Sequence, residues 1–558
     1  MTYDLRQLTA TVITETYGVE TTPQFTRPAP EHGDYSTNIA LQLAGQLGRP
    51  PREIAEEIAG VLKTRGDFDI SIAGPGFINI RLSDSEVFAA ALQSINLFKP
   101  MEGQTVVAEY SDPNPFKVLH AGHLYTSLVG DAIANILQAA GADVHRVNFG
   151  GDVGLHVAKT MWAILNELGG EFPEKLSDVP NDKKLDWVSE RYVHGNAAYG
   201  EDEAAKAEII DINKRVYAIH AENDHDSPFA QIYWTCRQWS YDGFGVLYDR
   251  LGMVPFEKYY PESATTQLGI DKVQEGLKSG IFKESDGAVV YLGEHKGLHT
   301  RVFMNSEGLP TYETKDLGLS LTKWEDYHFD KSVIITGDDI KEYMKVIISA
   351  VNEFNHDAAE RTLHLTHGQI KLAGGVKMSS REGNILRADD IIDAAYEASK
   401  SATHQEAPEV VLGAIRYSFL RNRIGGGDII YDPKESVSID GNSGPYLQYA
   451  LVRARSILRK VEGVKASESA TDLDQLERSL ARQISMYPEA FAEALAELSP
   501  HNIGNYLYEL AVTFNRFYEQ SRVIDHERAA VRVALVQAYE RTLANGLSIL
   551  GMPQPEQM

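Results

Sequence analysis

The sequence predicts a multidomain α/β chain: a small α+β unit at the N-terminus, a parallel-sheet domain with helical insertions, and an all-α C-terminal domain. Three observations predict it. The chain has 558 residues, enough for several domains at about 150 residues each. An apolar strand, an amphipathic helix and a second apolar strand follow one another over 104–149, and that unit builds parallel sheets. Beyond residue 400 strand signals vanish and helix follows helix.

Taken in order, 4–17 read as a helix, followed by a loop carrying Pro23, Pro28 and Pro30. A helical stretch over 38–47 restarts after Pro50 and Pro51, where proline suits a first turn. Ala73-Gly74-Pro75-Gly76 is a turn, and 77–82 alternate as a strand. These residues form the separable unit 1–100. In the central domain, 101–400, 104–110 are the first strand and 143–149 the second; between them Leu124, Leu128, Ala132 and Ile136 mark one helix face. Strands near 287–292 and 332–336 are expected to extend that sheet, and the charged, helical 160–285 read as an insertion. The final domain, 401–558, shows helices at 446–461 and 527–550.

Composition narrows the function classes. Apolar residues make up 43% and charged residues 24%, ordinary for a globular chain and too apolar for a disordered one. The single cysteine, Cys236, excludes an internal disulfide and a multi-cysteine zinc site; no metal site is expected. No secretory signal is expected, since the first twenty residues carry Asp4, Glu15 and Glu20, and no run of the sequence nears the ~18 apolar residues of a membrane span. A soluble, cytoplasmic protein is expected. The net charge of −26 disfavours broad nucleic-acid binding, so any nucleic-acid partner must meet a local basic surface.

Two segments carry chemistry. His120-Ala121-Gly122-His123 opens the helix after the first strand, putting two imidazoles beside backbone N–H groups that favour anions. Gly122 between them leaves room for a phosphate or flat base to approach. Such spacing is common, and taken alone two capping histidines are the commoner outcome. The second segment, Lys377-Met378-Ser379-Ser380-Arg381, sits in a glycine-flanked loop. Cations and hydroxyls on such a loop suit a clamp on a polyphosphate; a solvated basic turn is the alternative.

Together the segments resemble the HIGH and KMSKS motifs of class I aminoacyl-tRNA synthetases. Glu109-Tyr110-Ser111-Asp112-Pro113-Asn114, Val147-Asn148-Phe149-Gly150-Gly151-Asp152-Val153-Gly154 and Pro310-Thr311-Tyr312-Glu313-Thr314-Lys315-Asp316-Leu317-Gly318 resemble the arginyl-tRNA synthetase family specifically. Gly444-Pro445-Tyr446-Leu447-Gln448-Tyr449-Ala450 and the closing Pro555-Glu556-Gln557-Met558 resemble its anticodon-binding domain. His32-Gly33-Asp34-Tyr35 and 73–77 resemble its N-terminal domain, which in the family touches the tRNA elbow.

The resemblance implies a Rossmann-type catalytic domain and a two-step reaction. Arginine and ATP give arginyl-adenylate and pyrophosphate, and the arginyl group then passes to the 2′-hydroxyl of the terminal ribose of the tRNA, activation requiring bound tRNA. It implies that His120, Gly122, His123, Lys377, Ser379, Ser380 and Arg381 bind ATP with Mg2+, that Lys117, His120, His123 and Lys377 are catalytic, and that Glu109, Ser111, Asn114, Tyr312 and Asp316 bind arginine. Carboxylates suit that substrate, because a guanidinium has five donors and no acceptor. Ser380 replaces the motif's second lysine, and Lys117 is expected to supply the missing charge. Ile340 stands where the family usually has Gln or His. For tRNA, Tyr446 and Tyr449 can stack on bases, Arg453 and Arg455 can reach phosphates, and Met558 ends the anticodon domain. A monomer is expected, with tRNA affinity sensitive to salt. The rivals are a class I nucleotidylyltransferase without tRNA and a catalytically silent tRNA-binding paralogue.

Overall fold

The computed structural model describes residues 2–66, 68–373, 386–403, 407–461 and 463–558. Its centre is a five-stranded, wholly parallel sheet in the order Thr362–His367, Lys331–Gly337, Thr105–Glu109, Asp143–Gly150, Lys258–Pro261. Strand Thr105–Glu109 comes first in the chain and lies in the middle. Later strands are added on one side and then on the other. The strand order therefore reverses beside Thr105–Glu109, and such a reversal opens a crevice at the carboxyl ends of the strands.

The helix Ala121–Ala139 crosses between the first two strands. Leu124, Leu128, Ala132 and Ile136 are fully buried, as their four-residue spacing predicts, and burying each larger aliphatic group contributes about 1.5–3 kcal/mol. The helices Leu155–Leu168, Lys184–Glu201, Glu203–Ala221 and Pro228–Arg250 enclose a separate core around Met161, Val216 and Tyr233. This insertion ends earlier than 285. Residues Lys258–Pro261 return to the sheet as its edge strand, too short for an alternation to show.

Two further expectations are corrected. Ala288–Tyr291 does not join the parallel sheet; it pairs antiparallel with Lys283–Ser285 and Arg301–Met304. The cause is the tight turn at Asp286 and Gly287, with φ of 51° and 78°, the Asp-Gly geometry that closes a hairpin. Strands also do not cease at residue 400: Ile429–Tyr431 pairs in parallel with Ile370–Leu372. Three residues behind Gly425-Gly426-Gly427 are too few to show a period.

The N-terminal unit has a three-stranded antiparallel sheet, Tyr35–Thr37, Phe77–Arg81, Asp69–Ala73, and the helices Thr2–Tyr17, Ile39–Leu47 and Pro51–Arg65. It docks on the C-terminal helices through charge. Arg478 donates to Asp34 at 2.7 Å and also to Asp84, and Arg27 reaches Glu489 through two bonds of 2.8 Å. The C-terminal helices include Gly444–Lys460, Gln475–Ser485, Tyr487–Glu497, His501–Gln520 and Ala529–Ile549. No helix among the described residues is long and apolar enough to cross a membrane.

Candidate functional site

A cleft of about 690 Å³ opens at the strand-order reversal, lined by the ends of Thr105–Glu109 and Lys331–Gly337 and by the tip of the helix Ala121–Ala139. Ser111 and Asp112, directly after the strand, have φ of 75° and 50°, and Phe116 has 65°. Backbone strain concentrated in six residues at a cleft wall is a signature of a functional loop. Asn114 Oδ1 accepts the Gly151 N–H at 2.7 Å and Asp112 Oδ1 the Phe149 N–H at 2.8 Å, so the second strand holds the loop in place.

The two histidines stack with ring centroids 3.8 Å apart. His120 is the N-cap: its Nδ1 accepts the Gly122 N–H at 3.1 Å, while His123 Nδ1 accepts the His120 N–H at 3.3 Å. Desolvation lowers the pKa of both rings, with Lys117 adding to the effect, so both are neutral. A neutral ring whose Nδ1 accepts carries its proton on Nε2. The backbone thus sets two Nε2–H donors at the helix tip. Gly122 also has a local use: a Cβ there would sit 2.9 Å from His120 Cε1 and Nδ1, so its bareness admits the imidazole.

The opposite wall is acidic. Glu109 is 4% exposed and bonded to the buried Lys323. Asp316 accepts from the Tyr343 hydroxyl. Burial, with Glu262 and Glu109 nearby, pushes its carboxyl up to about 7. Burial and Glu109 likewise raise Asp112 well above the carboxylate range. Glu262 is buried against Lys315 at 2.7 Å, and desolvation raises its pKa too. It touches the same corner: a Cβ at Gly151 would lie 2.6 Å from Asn114 Oδ1 and 2.9 Å from Glu262 Oε1. Glu109, Asp112 and Asp316 line this wall and Glu262 stands beside it, against the two lysines Lys323 and Lys315, and burial raises the pKa of three of the four, Asp112, Asp316 and Glu262. The wall is short of positive charge.

Glu109, Ser111, Asn114, His120, Gly122, His123 and Asp316 line this one cleft. Lys117 and Tyr312 do not. Phe116 buries its ring against Tyr233 and turns the chain, so that the Lys117 ammonium lies over the Tyr192 ring at 5.9 Å. Tyr312 is 54% exposed, with the Lys315 ammonium 5.1 Å from its ring. Both belong to an adjoining cluster around Glu262 and Lys315. Lys377, Ser379, Ser380 and Arg381 lie outside the described residues. On either side of that gap, Ile370 and Leu386 line the cleft, and the Leu386 carbonyl accepts the Ala121 N–H at 2.8 Å. Asp112 and Glu262 were missed in sequence. An acid directly following a short aromatic run, Tyr259-Tyr260-Pro261-Glu262, was the available signal for the second.

On the helical domain, Tyr449 is 38% exposed and Tyr518 41%. The Arg453 guanidinium lies 4.8 Å from the first ring and 5.5 Å from the second. Tyr446 is half-buried, its hydroxyl accepting from Asn515 at 2.8 Å. Arg455 is not free to reach phosphate as expected: it pairs with Glu540 at 2.9 Å and donates to Gln554 at 2.8 Å, because the C-terminal helix packs along that side. Met558 is exposed.

Comparison with known proteins agrees along the whole chain. Residues 86–439 match the model for the class I (R) tRNA synthetase catalytic domain, 447–558 the DALR anticodon binding domain, and 4–82 the arginyl tRNA synthetase N terminal domain. An arginine–tRNA ligase of Flavobacterium psychrophilum is 32% identical over 82% of this chain and 80% of its own. One from Borreliella burgdorferi is 29% identical over 94% and 93%. The solved arginyl-tRNA synthetase of Thermus thermophilus superposes with a TM-score of 0.78 at 25% identity, covering 100% of both chains.

Proposed function

The chain belongs to the arginyl-tRNA synthetase family, an aminoacyl-tRNA ligase family whose reaction joins arginine to tRNA with ATP as substrate, and on that premise we propose how its residues divide the work. Asp316 accepts the arginine guanidinium, with Glu262 and the Glu109 oxygen not used by Lys323 beside it. Ser111 and Asn114 hold the α-amino and carboxylate groups, and Tyr312 covers the slot. The observation that carries this assignment is the group of four acids, three lining the cleft and Glu262 beside it, against two lysines. A ligand bringing a guanidinium and an ammonium against one carboxylate supplies the missing charge, and uncompensated buried charge is costly otherwise.

ATP binds as its magnesium complex, the metal neutralising phosphate oxygens. His120 and His123 donate through Nε2 to those phosphates, and Gly122 belongs to the same helix tip. Lys117, Lys377, Ser379, Ser380 and Arg381 gather the pyrophosphate. The arginine carboxylate attacks the α-phosphorus and pyrophosphate leaves. The 2′-hydroxyl of the tRNA's terminal adenosine then attacks the arginyl carbonyl, releasing AMP. Catalysis is positioning and charge neutralisation, without a covalent enzyme intermediate. Tyr446, Tyr449, Arg453 and Met558 receive the anticodon, and adenylate forms only when tRNA is bound. Residues 1–100 meet the tRNA elbow, 101–400 carry the chemistry and 401–558 read the anticodon, in a cytoplasmic monomer.

Pyrophosphate exchange tests this directly. Exchange is expected with arginine in the presence of its tRNA and not in its absence. Exchange with another amino acid, or none with arginine and intact tRNA, would overturn it.

A further inference from the structure

Arg416, on the helix Pro408–Leu420, is 0% exposed. Its guanidinium joins three elements far apart in sequence. Nη2 donates to Asp131 on the helix that starts at the histidines. Nη1 donates to the Leu251 carbonyl at 2.6 Å and Nε to the Leu550 carbonyl at 3.0 Å. Asp131 is 1% exposed, and its other oxygen accepts the Val254 N–H at 3.2 Å. The guanidinium fits because residue 551 is glycine: a Cβ there would lie 2.0 Å from Nη2, at a φ of +67° that side chains avoid. On the same histidine helix, Asn135 donates to the Ile549 carbonyl at 3.2 Å.

The same C-terminal segment is fastened on its other side. Gln448, fully buried on the helix Gly444–Lys460, donates to the Pro553 carbonyl at 2.9 Å and the Glu409 carbonyl at 3.0 Å. Tyr449 is the next residue and Arg453 follows one turn later. A run of buried and partly buried hydrogen bonds therefore connects the face bearing Tyr449, through 549–553 and Arg416, to the helix that begins at His120 and His123. A buried guanidinium committed to a carboxylate and two carbonyls has no cheap alternative arrangement, so it fixes where these elements sit.

We infer that Arg416 is a positioning residue: it sets the helix presenting His120 and His123 against the helical domain that receives the tRNA. The inference rests on the activity proposed above. Arg416→Lys keeps a cation for Asp131 but cannot serve both carbonyls. Arginylation kcat, per site counted with a non-hydrolysable arginyl-adenylate analogue, is expected to fall about tenfold or more, with arginine KM and tRNA Kd within about threefold of the parent. If Arg416 acts through the histidines, the same substitution in a His123→Ala background should cost less than about twofold. Gly551→Ala, which pushes on the guanidinium from the helical domain, carries the same cycle if Arg416→Lys yields no folded protein. Unchanged kcat per site, or a loss undiminished in the His123→Ala background, would overturn the inference. A parent protein that does not arginylate tRNA would instead overturn the proposed function.

Discussion

Around Asp316 the acids are buried and each already has a hydrogen-bond partner: Glu109 with Lys323, Glu262 with Lys315, Asp316 with the neutral Tyr343 hydroxyl. Around Tyr449 the arrangement is the reverse. Two exposed rings flank Arg453, whose guanidinium is held by Asn515 at 2.9 Å and, among the described residues, by no carboxylate. The first region suits one small cation of fixed shape, since low-dielectric surroundings make each charge expensive unless matched. The second suits a flat, flexible polyanion, since exposed rings stack on any base and a half-buried cation between them can still release counterions. One site gains selectivity from burial, the other tolerance from exposure.

Substitutions can break the contrast. Asp316→Asn should raise arginine KM about 100-fold, in the range of about 2–5 kcal/mol for losing one partner of a buried charge pair, while tRNA Kd stays within about twofold; steady-state kinetics and filter binding read the two. A large change in tRNA binding would merge the regions. Lys117→Ala should lower kcat some tens-fold, as loss of one donor to developing phosphate charge does, with a much smaller effect on arginine KM. Unchanged turnover would reject its role as the replacement for the motif's missing lysine.

Acidity sharpens it further. Asp316 is held up to about 7 in the free slot, and a guanidinium binds the carboxylate form, so arginine binding expels a proton below that pH. Arginine Kd, measured by calorimetry, should weaken up to about tenfold per unit of acidification below 7 and stay flat above it. The sign for stability is opposite. The unfolded carboxyl has lost its proton above its ordinary value of 3.8, so the ligand-free fold loses stability as pH rises from there towards 7, and arginine should raise Tm more at pH 8 than at pH 6. Asp316→Asn should remove the Asp316 share of both dependences, leaving what Asp112 and Glu262 contribute. The smallest effect belongs to the exposed face: Tyr449→Ala should weaken tRNA about tenfold, one base–aromatic stack, with arginine KM unchanged. Affinity for tRNA should fall steeply with salt in parent and variant alike.

Much of this was legible in the residues. The apolar run of 104–110, the helix periodicity from Leu124 to Ile136 and the paired histidines depend on neighbours in sequence, and the structure places them as their spacing demands. What escaped was short or shared. Strands Lys258–Pro261 and Ile429–Tyr431 have four and three residues, and nothing local separates them from loop. The opposite error, placing Ala288–Tyr291 in the parallel sheet, came from an apolar run whose partner is chosen by the Asp286-Gly287 turn. Arg455 looked free on its helix and is bound by Glu540, 85 residues away.

The sequence alone determined the residue types: two imidazoles at a helix tip, acids after strands, aromatic and basic residues on a late helix. Local periodicity and motif chemistry act over a few residues and survive without a fold. Only the tertiary structure decided which acids share a wall, that Asp316 holds its proton to about 7 while Glu109 is bonded to Lys323, and that one buried arginine ties the last helix to the first crossover. Those outcomes depend on desolvation and on partners brought close from hundreds of residues apart, and neither exists until the chain has folded.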